Sequence, residues 1–500
     1  MTDILWTAIF VQMMMGAFDT FYHHEGTERL AWRPSQHMEL RLHGVRNLAY
    51  AVMFAMLGWS EPQGLWAAGL IALMAGELLI TLWDFVEEDR TRHLPGTERV
   101  THTLLTLNYG VILALLIPWL FEGASAPTAL KPAFHGPMSW LCAIAAIGVI
   151  ISGLRDLAAA ARCKRLVDTE AASLAAVLTA RKSVLVTGGT GFVGRRLVDA
   201  LVSAGHEVIV LTRNRKAAQG ALGPVRIVTS LDEISDDARI DAVVNLAGEP
   251  ISDSPWTRDK RIRIVRSRLD VTREVLRLIA RLDRKPEVLV SGSAIGWYGL
   301  RGDQPLTESN LGTPCFSRRI CVSWERAAKR AEAMGVRTVL LRTGLVLDRH
   351  GGMLARLLAP FEFGLGGRFG DGRHWMSWIH RDDLVRLIAH AIAEPGLSGP
   401  VNGTAPGPVT NRHFVRALGK VLHRPALVPI PGWPLRLVLG GFAEELLLSG
   451  QRVYPDAAMR SGFVFHYATI EEALCKIVGN DPAPHGVAAR SANHRQLAGV

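Results

Sequence analysis

Cysteine is scarce in this chain of 500 residues. There are five, Cys142, Cys163, Cys315, Cys321 and Cys475, and no C-x-x-C pair among them. That excludes a disulfide scaffold and fits a reducing compartment for the soluble part. Low-complexity tracts are missing as well. Apolar residues make up 49% of the chain and are plentiful throughout, which excludes wholesale disorder. Charged residues supply only 20%, and they are unevenly spread. Residues 1–180 carry 12 Lys/Arg and 16 Asp/Glu, a net of −4, while residues 181–500 carry 44 and 30, a net of +14, together the formal +10. The chain is two unlike pieces, and its length allows about three domain-sized units.

The first piece reads as membrane. Apolar stretches run over Ile4–Phe21, Asn47–Trp59, Gly64–Trp83, Thr103–Phe121 and Pro137–Leu154. The last two are free of charge for 19 and 18 residues, close to the ~20 that a helix needs to cross a bilayer. The first lacks a basic n-region and is followed by further spans, so it is no simple signal peptide. Basic residues gather in alternate loops: Arg29, Arg33, Arg41 and Arg46, then Arg90, Arg92 and Arg99, then Arg155, Arg162, Lys164 and Arg165. Positive loops stay cytoplasmic. Five spans with this alternation put the N-terminus outside and the rest of the chain in the cytoplasm. The expectation is a multi-pass plasma-membrane protein with residues 1–155 as an all-α transmembrane bundle of about five helices. The lipid bilayer is its first partner.

His23, His24, Glu25, His37, His43, Asp84, Glu87, Glu88, Asp89, His93, Glu98 and His102 all fall on the cytoplasmic edge of these spans, with Asp19 and Glu77 deeper. Such donors can ligate iron or zinc. They can equally be interfacial charges paired with the arginines. No H-E-x-x-H is present, so no metal ligand is assigned. Glu77, an ionisable group inside a span, is either functional or paired within the bundle.

Residues 156–180 are Ala-rich and read as a connecting helix. The pattern then changes. The strand "SVLVT" (Ser183–Thr187) runs into "GGTGFVG" and an amphipathic helix to about Ala204. Gly188, Gly191 and Gly194 are spaced G-x-x-G-x-x-G. The first permits a sharp turn, the second lets backbone approach a pyrophosphate, and the third lets strand and helix pack closely. The helix N-terminus, with Phe192 and Val193, then offers free N–H groups to the phosphates. The next strand, "VIVLTRN", ends at Thr212 and Arg213, where an acid would select NAD. Arginine suits a 2′-phosphate, which favours NADP(H) over NAD(H); the alternative is an exposed basic loop. Further strands at Ala242–Gly248, Glu287–Ser293 and Thr338–Gly344 alternate with helical stretches. This predicts an α/β fold with a doubly wound parallel sheet.

"VTGGTGFVG", "NLAG", "SGSAIGWYG", "LLRTGLVL" and "WMSWIHRDDL" together resemble an extended short-chain dehydrogenase/reductase, and more narrowly the epimerase-like NAD(P)-dependent proteins of the YfcH type. The resemblance covers about Ser183–Val478. It implies a Rossmann domain over 181–424, a C-terminal cap over 425–480, and Asn245, Ala247 and Gly248 beside the cofactor. In that family a Ser, a Tyr and a Lys in Y-x-x-x-K move the proton. Ser293 takes the Ser place, but Phe316 and Ile320 stand at the Tyr and Lys places. The chain has six tyrosines, Tyr22, Tyr50, Tyr109, Tyr298, Tyr454 and Tyr467, and none has Lys four residues later. By position Tyr298 is the substitute proton donor, or else an aromatic lining the pocket. Cys321, Glu325 and Glu308 are weaker candidates. Arg342, Trp375 and Trp378 are the candidate substrate contacts, and either tryptophan can instead be core. Asp383 is expected to cap the helix that follows it. The segment "PLRLVLGGFAEELLLSG" can pack on the core or touch lipid. Residues 481–500 are polar and expected to be disordered.

The helix over Arg258–Arg284 is rich in arginine but lacks any nucleic-acid motif. A solvated face attracted to anionic headgroups fits better, and no nucleic-acid partner is expected. The leading expectation is a membrane-anchored NADP(H)-dependent oxidoreductase or epimerase-like enzyme acting on a small-molecule or lipid-linked substrate. One alternative is an NADP(H)-binding sensor or scaffold without turnover. Another is a Rossmann domain that feeds electrons to a metal site in the membrane piece.

Overall fold

The computed structural model describes residues 2–480; the polar tail, 481–500, lies outside the described residues. Two compact units form, Met1–Val167 and Asp168–Val500.

In the first unit, α1 (Asp3–Phe18) continues as a π-helical stretch, Asp19–Glu28, and is followed by α2 (His37–Trp59), α3 (Leu65–Thr91), α4 (Gly96–Ala124) and α5 (Pro137–Cys163). Among the described residues, four stretches are long and apolar enough to cross a membrane: Asp3–Trp32, Leu65–Thr91, Gly96–Ala124 and Pro137–Cys163. Helix α2 differs because its N-terminal part carries Glu39, Arg41 and Arg46; the apolar run Asn47–Trp59 is only its second half. Helices α2 and α5 approach through glycines. A Cβ on Gly153 would stand 2.9 Å from the carbonyl oxygen of Gly44, and one on Gly44 would stand 2.7 Å from Leu157. Small residues at such crossings let backbones pack closely.

Two expectations need correction. The unit is not purely helical, because β1 (Ser60–Gln63) and β2 (Ala129–Pro132) pair antiparallel. Residues 156–180 are not one connecting helix. The Ala-rich run extends α5 to Cys163, and α6 (Ala171–Leu174) is a separate short helix. Leu174, Ala175 and Leu178 join the core of the second unit.

The first unit is inverted relative to a water-soluble domain. Leu65, Leu79 and Ile144 are 76%, 68% and 67% exposed, while Asp19, Glu39, His43, Glu77, Asp84, Glu88 and Glu98 are buried. An apolar layer (Leu5, Ile9, Met53, Leu57, Leu70, Met74, Leu116) fills one end of the interior. The buried polar residues fill the other.

The second unit alternates strands and helices: β3 (Ser183–Thr187), α7 (Phe192–Ser203), β4 (Glu207–Leu211), α8 (Arg215–Ala221), β5 (Arg226–Val228), β6 (Ala242–Asn245), α9 (Arg258–Arg281), β7 (Val288–Ala294), β8 (Pro305–Leu306), α10 (Phe316–Ala328) and β9 (Arg337–Thr343). After these come β10 (Leu345–Leu347), α11 (Gly352–Glu362), β11 (Trp375–Met376), β12 (Trp378–His380), α12 (Arg381–Ala393) and β13 (Gly399–Gly403). Seven strands form one sheet in the order β13-β9-β7-β6-β3-β4-β5, every pair parallel. Period-two alternation divides each strand between two cores. Val184, Val186, Val244, Val290 and Val339 face one layer, while Leu185, Val243, Leu289 and Leu340 face the other. The strand order reverses between β3 and β6, and ligands bind at the carboxyl ends beside such a reversal.

Candidate functional site

The turn after β3 lies at that reversal. Gly188 has φ +72, which favours glycine, and a Cβ there would stand 2.9 Å from the amide nitrogen of Ala247. A Cβ on Gly194 would stand 2.1 Å from the carbonyl oxygen of Gly188. Only glycine lets the turn fold back on the first turn of α7, whose N-cap is Gly191. The N–H groups at the start of α7 thus open toward the turn, where a pyrophosphate would be held.

A cavity of about 500 Å³ opens there. Gly188, Gly191, Phe192, Val193, Gly194 and Gly248 line one side; Ser293, Cys321, His374 and Trp375 line it further on, with Glu445 and Gln451 from the C-terminal segment. The other residues expected at the cofactor do not line this cavity. Asn245 is fully buried below it. Its amide oxygen accepts from Thr187 Oγ1 at 2.6 Å, and its Nδ2 donates to Thr272 Oγ1 at 2.9 Å. The Ala247 amide donates to Thr187 Oγ1 at 3.2 Å. Asn245 therefore shapes the turn through β3, β6 and α9. Thr212 and Arg213 follow β4. Arg213 is exposed, and no hydrogen bond or ion pair engages it among the described residues, whereas Arg215 is paired with Glu233 at 2.6 Å.

Ser293 and Glu325 meet below the cavity. The Ser293 hydroxyl donates to Glu325 Oε1 at 2.7 Å, and Arg342 holds the same carboxylate in a bidentate pair at 2.9 and 3.0 Å. This network corrects two expectations. Tyr298 does not face the cavity. It is fully buried, donates to Asn402 Oδ1 at 2.8 Å and accepts from Arg342 at 3.3 Å. Burial pushes its phenol above the ordinary tyrosine range, so it is a poor proton donor for substrate. Arg342 is committed to Glu325 and stacks on Trp297 at 3.6 Å, out of reach of a ligand. Trp378 is buried core, its indole donating to the carbonyl of Gly407 at 2.9 Å. Trp375 alone of the two tryptophans lines the cavity.

The places of the family's Tyr and Lys have become apolar. Phe316 and Ile320 pack with Trp256, Ile264 and Phe442 in one buried cluster. Glu445 covers the start of α10, accepting from the Phe316 amide at 3.1 Å and from the Ser317 amide and hydroxyl at 2.9 and 2.7 Å. Cys321 lines the cavity, but burial pushes its thiol up to about 11, so it is not a nucleophile at neutral pH. Asp383 does not cap α12. His380 does, through Nδ1, while Asp383 accepts from the His466 and Tyr467 amides at 3.0 and 2.9 Å.

His374 and Arg268 are among the polar residues of the cavity that sequence reasoning missed. His374 neighbours Trp375, and burial lowers its pKa, so the imidazole is neutral near pH 7. Arg268 lines the wall with its guanidinium 5.1 Å from the Trp324 ring. A histidine beside an aromatic was the available signal for the first. The second lay hidden among the many arginines of α9.

A parallel sheet with this order, a glycine turn at its reversal and a cavity beyond it define a dinucleotide-binding α/β protein. The chain belongs to the NAD dependent epimerase/dehydratase family, whose model matches residues 184–402. A domain of unknown function, DUF1731, matches residues 430–477. Epimerase family protein Mb2239 of Mycobacterium bovis is 40% identical over 293 residues, 58% of this chain and 96% of that protein. Epimerase family protein SDR39U1 of Bos taurus is 35% identical, over 59% of this chain and 99% of its own length. The crystal structure of human SDR39U1 (isoform 2) with NADPH aligns at TM-score 0.55 and 33% identity, covering 60% of this chain and 99% of that one.

Proposed function

We propose that this protein is a membrane-anchored, NADP(H)-dependent oxidoreductase or epimerase-like enzyme whose substrate is lipid-linked or otherwise amphipathic. The observation that carries the reading is the glycine turn opening onto a cavity, with Arg213 free just beyond β4. NADPH in the human SDR39U1 structure supports the choice of cofactor. The start of α7 holds the pyrophosphate, and Arg213 holds the 2′-phosphate. The bound dinucleotide supplies a hydride donor or acceptor. Ser293, fixed by Glu325, orients the substrate oxygen. His374 holds or moves the proton that the family's Tyr would handle. The apolar outer face of the first unit supports anchoring in the bilayer. Trp433, Leu437 and Val438, exposed on the helix Gly432–Leu439, support contact with lipid.

Loss of NADPH absorbance on adding a membrane lipid extract to detergent-solubilised full-length protein tests this reading. Turnover that falls in Ser293→Ala and His374→Ala supports it. Tight NADPH binding with no turnover on any carbonyl or sugar-nucleotide substrate favours the second reading, an NADP(H) sensor. The apolar cluster around Phe316 and Ile320 is the observation behind that alternative.

A further inference from the structure

The buried polar end of the first unit is built by one repeated device. On α2, Glu39 and His43 are four residues apart; on α3, Asp84 and Glu88; on α4, Glu98 and His102. A spacing of four puts both side chains on one helix face. Asp19 and His24 are five apart, and they lie in the π-helical stretch after α1, whose i to i+5 period brings them to one face as well. Four helical segments thus each turn two metal-ligating side chains inward. The ligand atoms of Asp19, His24, Glu98 and His102 all lie within 4.8 Å of one another, as do those of Glu39, His43 and Glu88.

The protein satisfies these groups only in part. Five carboxylates, Asp19, Glu39, Asp84, Glu88 and Glu98, are buried together. Two guanidinium groups meet them: Arg92 contacts Glu39, Glu88 and Glu98, and Arg46 contacts Asp84. Protonated histidines can supply part of the missing charge, but the rings of His24 and His43 stack in parallel with centroids 4.6 Å apart, so these two are not both protonated. Two imidazolium ions in that arrangement, away from water, would repel. His43 Nε2 lies 2.9 Å from Asp84 Oδ2, and His102 lies 3.2 Å from Asp19 through Nε2 and 3.4 Å from Glu88 through Nδ1, so both rings pair with carboxylates; His24 Nε2 is buried and makes no hydrogen bond. His24 Nε2 nevertheless lies 3.3 Å from Asp19 Oδ2 and 3.8 Å from Glu98 Oε1. A buried ring nitrogen that faces carboxylate oxygens without a hydrogen bond is left unsatisfied, and a cation between them would satisfy both.

We propose that the first unit holds a divalent first-row transition-metal ion, ligated by Asp19, His24, Glu98 and His102. Two imidazoles and two carboxylates suit iron, manganese or zinc. Arg92 positions Glu98, and His23 positions Asp19 through its Nδ1, 2.9 Å from Asp19 Oδ1. The site lies entirely within Met1–Val167, so it stands or falls independently of dinucleotide binding.

Elemental analysis of full-length protein, purified without a histidine tag, is the direct test. It is run as isolated and after loading with Fe(II), Mn(II) or Zn(II) followed by desalting. The expected result is about one equivalent of one of these metals per chain, lost in the His24→Ala/His102→Ala double variant and retained in Glu77→Gln. Glu77 is a buried acid outside the ligand set, held instead by Tyr50 and Thr81. Less than a tenth of an equivalent under every loading condition overturns the proposal, as does full retention by the double variant. X-ray absorption on the wild-type protein covers the case of a misfolded variant. Mixed oxygen and imidazole scattering supports the site, and a first shell with sulfur or without imidazole overturns it.

Discussion

The two units solve opposite solvation problems. The second keeps Val, Leu and Ile inside its sheet layers and puts arginines outside, as water demands. The first keeps Asp, Glu and His inside and exposes Leu, Ile and Trp. The contrast teaches that the whole-chain average of 49% apolar says little here: apolar residues spread one way build a Rossmann core, and spread the other way build an apolar rim around an interior that is polar at one end.

Substitutions can break that contrast. The largest stability effect is expected in the second unit, where Leu185→Ala removes a fully buried side chain from a central strand. It should cost about 2–5 kcal/mol, read from the denaturation midpoint of that unit. Next come two matched surface changes. On the proposed anchoring in the bilayer, Leu79→Arg, on the outer face of α3, should cost about 2.5–3.5 kcal/mol of membrane insertion, read from the membrane-associated fraction. Ile262→Arg, on the exposed face of α9, should change stability by less than about 0.5 kcal/mol. Equal effects at the two sites would erase the distinction between the units.

A smaller effect is expected at the cofactor. Arg213→Ala should weaken NADPH binding roughly tenfold, about 1.4 kcal/mol, and leave NADH unchanged by calorimetry. Smallest is a pH effect at Cys321. Burial raises its thiol from the ordinary 9.0 to about 11, so the folded state holds the proton more tightly. The resulting stability is present below about pH 9 and is lost as pH rises through 11. Alkylation of Cys321 in the native protein, followed by mass spectrometry, should stay slow until the same range.

Much of the fold was legible in the sequence. The strand, glycine turn and helix over 183–203 are local, and so is the alternation of helices and strands after them. Side-chain direction was not legible. Tyr298 follows Ser293 closely, yet the short helical turn after β7 points its phenol at Asn402 rather than at the cavity. Trp375 and Trp378 lie in adjacent short strands, and only their long-range partners decide which one faces a ligand. Residues 156–163 read as a connector because the charged residues begin there, but alanine sustains α5 regardless. In the first unit, the sequence contains no compact metal motif such as H-E-x-x-H. The donors come as pairs from separate helices, and only packing brings them together.

The measurement that tests the central claim most directly is a titration of full-length protein with NADPH, beside the Gly194→Val variant. A micromolar Kd for the wild type, abolished by the variant whose Cβ would collide with the Gly188 carbonyl, is the predicted result. No binding of NADPH or NADH by the wild type, or undiminished binding by the variant, would contradict it.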